Sequence, residues 1–347
     1  MKRSLVHVGI AAAALFAFAC GPKNRNKKPP NNNMFDPSGG GGGGGSTAPG
    51  GKYTLGTTTA ASGLQRITFD MIDEERPALS PDGSMLLVGL RVYDKAAGFQ
   101  RFPGIIAVDP NGAPGRTMMT QSGSESDRAA WAPDGSTFLY ATNAPGSWTL
   151  VRANSRAPMS GYTIIIPATS APLADFPSAA PDGLVAFTMD VNKSSMIATC
   201  RMDGSGMQMI EQGTNATFSP DGKFIAFTRD VGGSLQLFLS DRSGGSVRQL
   251  TFGKANNLWP AWSPDGRFLT FTSNKGTEYM DKNAQHSHIW AVSAMGGQPV
   301  QLTTGTADCG YPNWGVDGNV YFNSDQAAGN YDIWRMHVQV EGMGKSI

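Results

Sequence analysis

Charge of one sign is what this chain most lacks. Its 28 Lys and Arg against 27 Asp and Glu leave a formal net charge of +1. It has no basic stripe of the kind that nucleic-acid binders carry, so that class of partner is excluded. Charge of either sign is sparse, at 16% of residues. The only long apolar run lies at the very start, which excludes a polytopic membrane protein. Long helices are disfavoured too, because 44 Gly and 22 Pro approach a fifth of the chain. That composition suits tight turns and short strands. At 347 residues the chain exceeds one ordinary core and must split or repeat.

The basic residues that exist are gathered early. Residues 1–46 hold Lys2, Arg3, Lys23, Arg25, Lys27 and Lys28 against Asp36 alone, which leaves the remainder at a net −4. Lys2 and Arg3 precede an apolar run from Leu5 to Ala19, interrupted by His7, and then comes Cys20. A short cationic start, an apolar stretch below bilayer length and small residues at its end describe an export signal covering residues 1–19. Ala17-Phe18-Ala19-Cys20-Gly21 resembles a bacterial lipobox, although Ala17 stands where Leu is preferred and Phe18 where a small residue is. Ala17-Phe18-Ala19 also fits ordinary A-x-A cleavage, and both readings cut the same bond. Lipid at Cys20 would anchor the protein in the periplasm. Gly21, by resemblance to the enterobacterial sorting rule, directs it to the outer membrane. From residue 21 to 62 nothing alternates. Pro29-Pro30, Asn31 to Asn33 and Gly39 to Gly45 predict a disordered tether, reaching roughly 35–40 Å as a coil. Its Lys and Arg either touch anionic head groups or simply solvate it.

One motif then occurs six times. It reads Leu79-Ser80-Pro81-Asp82-Gly83, Trp131-Ala132-Pro133-Asp134-Gly135, Ala180-Pro181-Asp182-Gly183, Phe218-Ser219-Pro220-Asp221-Gly222, Trp262-Ser263-Pro264-Asp265-Gly266 and, degenerately, Trp314-Gly315-Val316-Asp317-Gly318. The aspartates are 39 to 52 residues apart. Pro presets the first turn position, Asp bonds the nearby backbone and Gly takes the left-handed one, so each copy predicts a hairpin turn. An alternating run follows, such as Phe224 to Thr228 or Phe268 to Thr272. Third strands (Leu237 to Leu239, His288 to Val292) and fourth strands (Val247 to Thr251, Pro299 to Thr303) complete each unit across Gly244-Gly245 and Gly296-Gly297. Such units bury their apolar faces only against neighbours. The sixth unit has a third strand, Asp332 to Met336, and then runs out. Leu64 to Phe69 supplies the missing outer strand and would remove the exposed edges. The expected fold is all-β: a six-bladed β-propeller of four-stranded antiparallel blades over residues 63–347, closed by an N-terminal strand behind the tether.

Pro260-Ala261-Trp262-Ser263-Pro264-Asp265-Gly266 resembles the blade motif of the TolB-like propeller family, and the resemblance spans some 280 residues of sequence. The chain departs from the family's namesake at the N-terminus, where a glycine-rich tether replaces a folded domain. The resemblance implies a binding module whose funnel mouth receives a peptide or small domain of another envelope protein.

No G-x-S-x-G elbow is present, and the chain is expected to have no hydrolase domain after the propeller. His286 and His288, with Glu278 and Asp281 nearby, form a possible metal set, against the plainer reading of surface histidines. The turn aspartates are read as structural, not as calcium ligands. No catalytic residue, metal or cofactor is therefore assigned. Cys200 and Cys309 fall in units facing each other across the ring and are expected as two buried, unpaired thiols. The 16 Met and most aromatics, including Trp131, Trp262 and Phe227, are expected to pack between blades.

The residues leading each inner strand stand apart from this pattern. At one repeat position are Arg76, Arg128, Phe176, Asn215, Trp259 and Tyr311, preceded by Glu75, Asp127, Asp175, Thr214, Leu258 and Gly310. They are expected at one mouth of the axial channel. Arg, Trp, Tyr and Phe anchor protein interfaces; alternatively they solvate the channel or pair with each other, as Arg128 can with Asp127 or Asp175. The expected function is a monomeric, non-catalytic periplasmic binder of an envelope protein or peptide. A propeller-type polysaccharide lyase or hydrolase using His286 and His288, and a scaffold binding through outer blade faces, are the alternatives.

Overall fold

Each Asp-Gly turn forms as its residues dictate. Gly83 N donates to Ser80 O at 2.9 Å, and Asp82 Oδ1 accepts from the Ser80 hydroxyl at 2.6 Å and from Ser84 N at 3.1 Å. The equivalent glycines 135, 183, 222, 266 and 318 make the same bond to the residue three before them, all with φ between 67° and 81°.

The computed structural model describes residues 55–69, 71–94, 99–167, 174–277, 280, 286–326 and 330–339. These hold one 3₁₀ turn, Pro158–Ser160, and otherwise strands. Five four-stranded sets follow in chain order. They are Asp73–Leu79, Leu86–Asp94, Phe99–Val108 and Arg116–Met118; Ser126–Trp131, Thr137–Thr142, Thr149–Asn154 and Tyr162–Ile166; Asp175–Ala179, Leu184–Val191, Ser194–Arg201 and Gln208–Gln212; Thr214–Phe218, Phe224–Val231, Ser234–Asp241 and Arg248–Gln249; Asn257–Trp262, Phe268–Ser273, His288–Ser293 and Val300–Gln301. All are antiparallel, and one parallel bridge, Pro103 to Ser126, joins the first two. A sixth set takes Cys309–Trp314, Asn319–Ser324 and Asp332–Val338 from the end of the chain and Ala61–Arg66 from its beginning. Gln65 pairs with Arg335 and Arg66 with Trp334.

The N-terminal strand thus pairs where its pattern placed it, three residues earlier than expected. Residues 55–62, read from sequence as tether, are also engaged. Leu55–Thr57 pairs with Thr303–Gly305, Thr58 N donates to Leu302 O at 2.9 Å, and Leu55 is buried with Ile289, Phe322 and Trp334. The segment therefore ties together the outer strands of the fifth and sixth sets. The remaining tether and leader, including Cys20, lie outside the described residues.

The leading strand of each set packs against that of the next, and the sixth against the first. Apolar clusters lie between neighbouring sets; Leu237, Leu239, Trp262, Phe271 and Trp290 form one. Cys200 and Cys309 are both buried and unpaired, and burial pushes the Cys200 thiol up to about 12. The methionines follow the expectation only in part. Met119 and Met336 are buried, whereas Met71 and Met295 are 77% and 86% exposed, because they sit on connections between strands.

Two buried carboxyls mark the seam between the sixth and first sets. Glu74 lies 3.1 Å from the Arg116 guanidinium and Asp332 lies 3.0 Å from that of Arg66, with Asp73 nearby. Burial, which outweighs Thr68 and Arg66 at Glu74 and Arg66 at Asp332, raises both carboxyls to about 7. The folded protein therefore binds protons that the unfolded chain has released, and this stabilisation is lost as pH rises through 7. The thermal midpoint should be lower at about pH 8 than at about pH 5, and Glu74→Gln with Asp332→Asn should flatten that profile. A wild-type midpoint that rises over the interval would contradict the assignment.

Candidate functional site

The leading strands carry a shared backbone distortion. Arg76, Arg128, Phe176, Asn215, Trp259 and Tyr311 all have φ between 51° and 60°. Pairing with the second strand slips across each of them, between Glu75 and Ala78 in the first set and Gly310 and Asn313 in the sixth, and likewise in the others. Among the described residues nine non-glycines have positive φ, and six of them are these. A side chain in the left-handed region costs about 1–2 kcal/mol. In four sets proline follows (Pro77, Pro177, Pro260, Pro312), where the interrupted ladder asks for no N–H.

The distortion brings these side chains together. Trp259 and Tyr311 stack with centroids 3.8 Å apart. The Arg76 guanidinium lies 4.5 Å from the Tyr311 ring, donates to its hydroxyl at 3.1 Å, and pairs with Asp127 and, at 3.4 Å, with Glu75. Arg128 pairs with Asp175, approaches Asp127 at 3.8 Å and lies 4.2 Å over Phe176. A continuous belt thus runs from the fifth set through the sixth, first and second to the third. Asn215, in the fourth, is buried, and its side-chain oxygen has no hydrogen-bond partner among the described residues. The other five of the six are partly buried and belong to none of the hydrophobic clusters.

Opposite charges offset one another here. Burial opposes the Arg76 charge, but Asp127, Tyr311 and Glu75 together raise its basicity. Burial and then Arg76 push Arg128 down to about 10, still protonated at neutral pH. The mutual pairing weighed from sequence for Arg128 is therefore present with both Asp127 and Asp175. Gly89 is what admits Asp127, since a Cβ there would meet its Oδ1 at 2.8 Å.

Several contributors were not singled out from sequence. Phe102 lies 5.7 Å from Arg76 and meets Trp148 edge-on at 6.5 Å. Arg91 pairs with Glu75 and, at 3.4 Å, with Asp73, and lies 5.1 Å from the Tyr331 ring. The Arg91 pairing shares a signal with the leading strand: an Arg on the second strand opposite Asp73 in the ladder.

His286 and His288 lie elsewhere, edge to face at 5.0 Å. His288 is buried, and burial with His286 lowers it to about 4. Its Nδ1 is 3.4 Å from the Thr303 hydroxyl. Glu278 and Asp281 lie outside the described residues. Among the described residues no three His, Cys, Asp or Glu are grouped as a metal site would need.

Residues 177–287 match the family model of the TolB beta propeller domain. No curated protein matches the chain. Among solved structures, the putative TolB from Agrobacterium tumefaciens is 15% identical with a TM-score of 0.58, covering 82% of this chain and 99% of its own. A gluconolactonase from Xanthomonas campestris is 13% identical at a TM-score of 0.54, covering 80% and 91%. An oligogalacturonate lyase from Vibrio parahaemolyticus is 12% identical at 0.51, covering 82% and 96%. At such identities the likeness speaks for fold, and this fold carries both enzymes and non-enzymes. Residues 177–287 thus carry the TolB-like β-propeller repeat, and four-stranded sets of the same strand order lie on both sides of that match.

Proposed function

We propose that this protein is a non-catalytic periplasmic binding module, held to the outer membrane by lipid at Cys20. In this reading the six sets are six blades, closed into a ring by Ala61–Arg66, and the belt lies at one mouth of the axial channel. There it receives a protein or peptide of the cell envelope. The observation that carries the reading is the repeated left-handed residue. A fold that needed only a turn at that position would use glycine; here strain is retained six times with large or polar side chains, and such strain gathers at functional sites. The side chains so placed include Trp, Tyr and Arg, the types that dominate interface energetics.

The test is cross-linking in intact cells, followed by identification of the captured protein. Trp259→Ala combined with Tyr311→Ala should abolish capture and leave thermal unfolding nearly unchanged. Truncating an interface centre of this type costs about 2 kcal/mol or more, roughly thirtyfold in affinity. Undiminished capture would move binding to the outer blade faces. A stoichiometric metal in the purified protein would favour the lyase or hydrolase reading instead.

A further inference from the structure

The N-terminal segment shows what the outer edge of one repeat can hold. Leu55–Thr57 pairs with Thr303–Gly305, and Leu55 is buried with Leu302, Ala307, Phe322 and Trp334 between the fifth and sixth sets. The same place recurs one unit earlier. Leu302 N donates to Ile289 O at 2.8 Å and Ile289 N to the Thr303 hydroxyl at 2.9 Å. Leu250 N likewise donates to Leu237 O at 2.8 Å and Leu237 N to the Thr251 hydroxyl at 2.9 Å. Phe271 pairs with Trp290 across its ladder as Phe322 does with Trp334, and Ala255 and Ala307 each lie two residues before a leading strand. Leu250, Ala255, Phe271 and Trp290 thus stand between the fourth and fifth sets where the four residues around Leu55 stand one unit on.

Here no strand is added to the outer edge of Arg248–Gln249 among the described residues. In place of a leucine there is an open cleft, lined by those four side chains with Thr251 and Phe252. We propose that this cleft takes an extended segment of a partner protein, added as a strand along residues 251–253, whose sequence is an acidic residue followed by Leu-Gly-Thr.

The chain's own segment sets most of that sequence. Leucine fills the equivalent pocket, where Leu55 is buried. Glycine follows because a Cβ on Gly56 would meet the Thr304 hydroxyl at 3.0 Å, and the cleft carries the larger Phe252 in the place of Thr304. Charge sets the residue before the leucine. Lys275 and Gln326 each lie two residues past a second strand, at the end where Leu55 enters its own site. Lys275 sits 5.1 Å over the Trp290 ring and makes no ion pair among the described residues, so a carboxylate there gains a partner. The occupant comes from another protein, because Leu-Gly occurs once in this chain and that copy is held in its own ladder. Main-chain pairing supplies affinity and the side-chain pocket supplies selection, as in other cases of strand addition.

Fluorescence anisotropy of a labelled peptide, Gly-Asp-Leu-Gly-Thr-Thr-Gly, against the full-length protein tests this. The peptide should bind at sub-millimolar concentration. Replacing its leucine by serine should weaken binding about tenfold or more, the loss expected for one buried aliphatic side chain. Replacing its glycine by valine should abolish binding. Lys275→Glu should weaken the peptide severalfold, the scale of an exposed ion pair, and a peptide with lysine in place of aspartate should recover that loss on this variant. Phe252→Ala should also weaken the peptide severalfold, and because both side chains are exposed the two variants should melt as the wild type does. Absence of binding at millimolar concentration, or indifference to the serine replacement, would overturn the proposal. So would indifference to both Lys275→Glu and Phe252→Ala, which would mean that the peptide exchanges with Leu55–Thr57 on Thr303–Gly305. None of the lining residues belongs to the belt, so these outcomes leave the reading of the mouth to its own test.

Discussion

Deleting residues 55–66 should abolish cooperative unfolding and leave a protein that aggregates on purification. The deletion removes the outer strand of the sixth set and the pairing of Leu55–Thr57 with Thr303–Gly305. It uncovers Ile289, Phe322, Trp334 and Met336, now buried in one cluster with Leu55 and Ala61. It also leaves Asp332–Val338 as an open edge, whose unpaired groups are a template for another chain. Folded domains hold only about 5–15 kcal/mol in total, and losing two ladders and their apolar contacts removes much of that. Leu55→Asp is a gentler form of the same experiment, placing a carboxylate where the side chain is 2% exposed. Circular dichroism and size exclusion read both. A deletion variant that melts cooperatively at the wild-type temperature would show that the N-terminal strands decorate the fold and do not close it.

Trp262→Ala should cost about 3–5 kcal/mol, the range for deleting a large aromatic from a core. Its indole is buried among Leu237, Phe271 and Trp290, and Nε1 donates to Thr217 O in the preceding set at 3.2 Å. Truncation opens a cavity between two sheets and leaves that carbonyl unpaired. Trp131 makes the equivalent bond, to Ala78 O at 2.9 Å, so the position is a repeated bolt between neighbours. Trp259 lies only three residues away yet faces Tyr311 outside that cluster. The two Ala variants should separate cleanly in urea: a large drop in midpoint for Trp262, and almost none for Trp259. Equal midpoints would mean that the side chains share one environment.

What could be read from sequence was what local chemistry determines. Pro-Asp-Gly specifies its turn through contacts within four residues, so all six turns stand where the motif put them. Leu64 to Phe69 announced its role by resembling the outer strands elsewhere in the chain. Leu55–Thr57 gave no such signal, because three residues carry no period and only pairing with distant Thr303–Gly305 makes them a strand. The leading-strand residues were legible as a repeat column, but their left-handed backbone was not. A residue before proline is expected to be extended, and Arg76, Phe176, Trp259 and Tyr311 depart from that because the ladder slips around them. Phe102 and Trp148 were missed for a related reason: one lies on a third strand and the other in a connection, both outside the repeat column, and only the folded arrangement brings their rings together. Exposed Met295 and Met71 show the converse, since composition alone assigned them to a core they do not join.

The clasp at the N-terminus also gives the molecule a handle with a direction. Leu55 pairs with Gly305, six positions ahead of Tyr311 in the chain, on the side where the leading strands begin. Leu55 therefore stands on the side of the sheets that carries the belt and not on the side of the Pro-Asp-Gly turns. A body pulled by a cord tied at its rim hangs with that rim toward the point of attachment. If Cys20 is fixed in a bilayer, a pull transmitted through Leu55 would turn the aromatic face toward that bilayer and the Pro-Asp-Gly turns away. Partners that rise from the membrane surface would then meet the belt directly, while those diffusing in from the far side would first meet the hairpin turns.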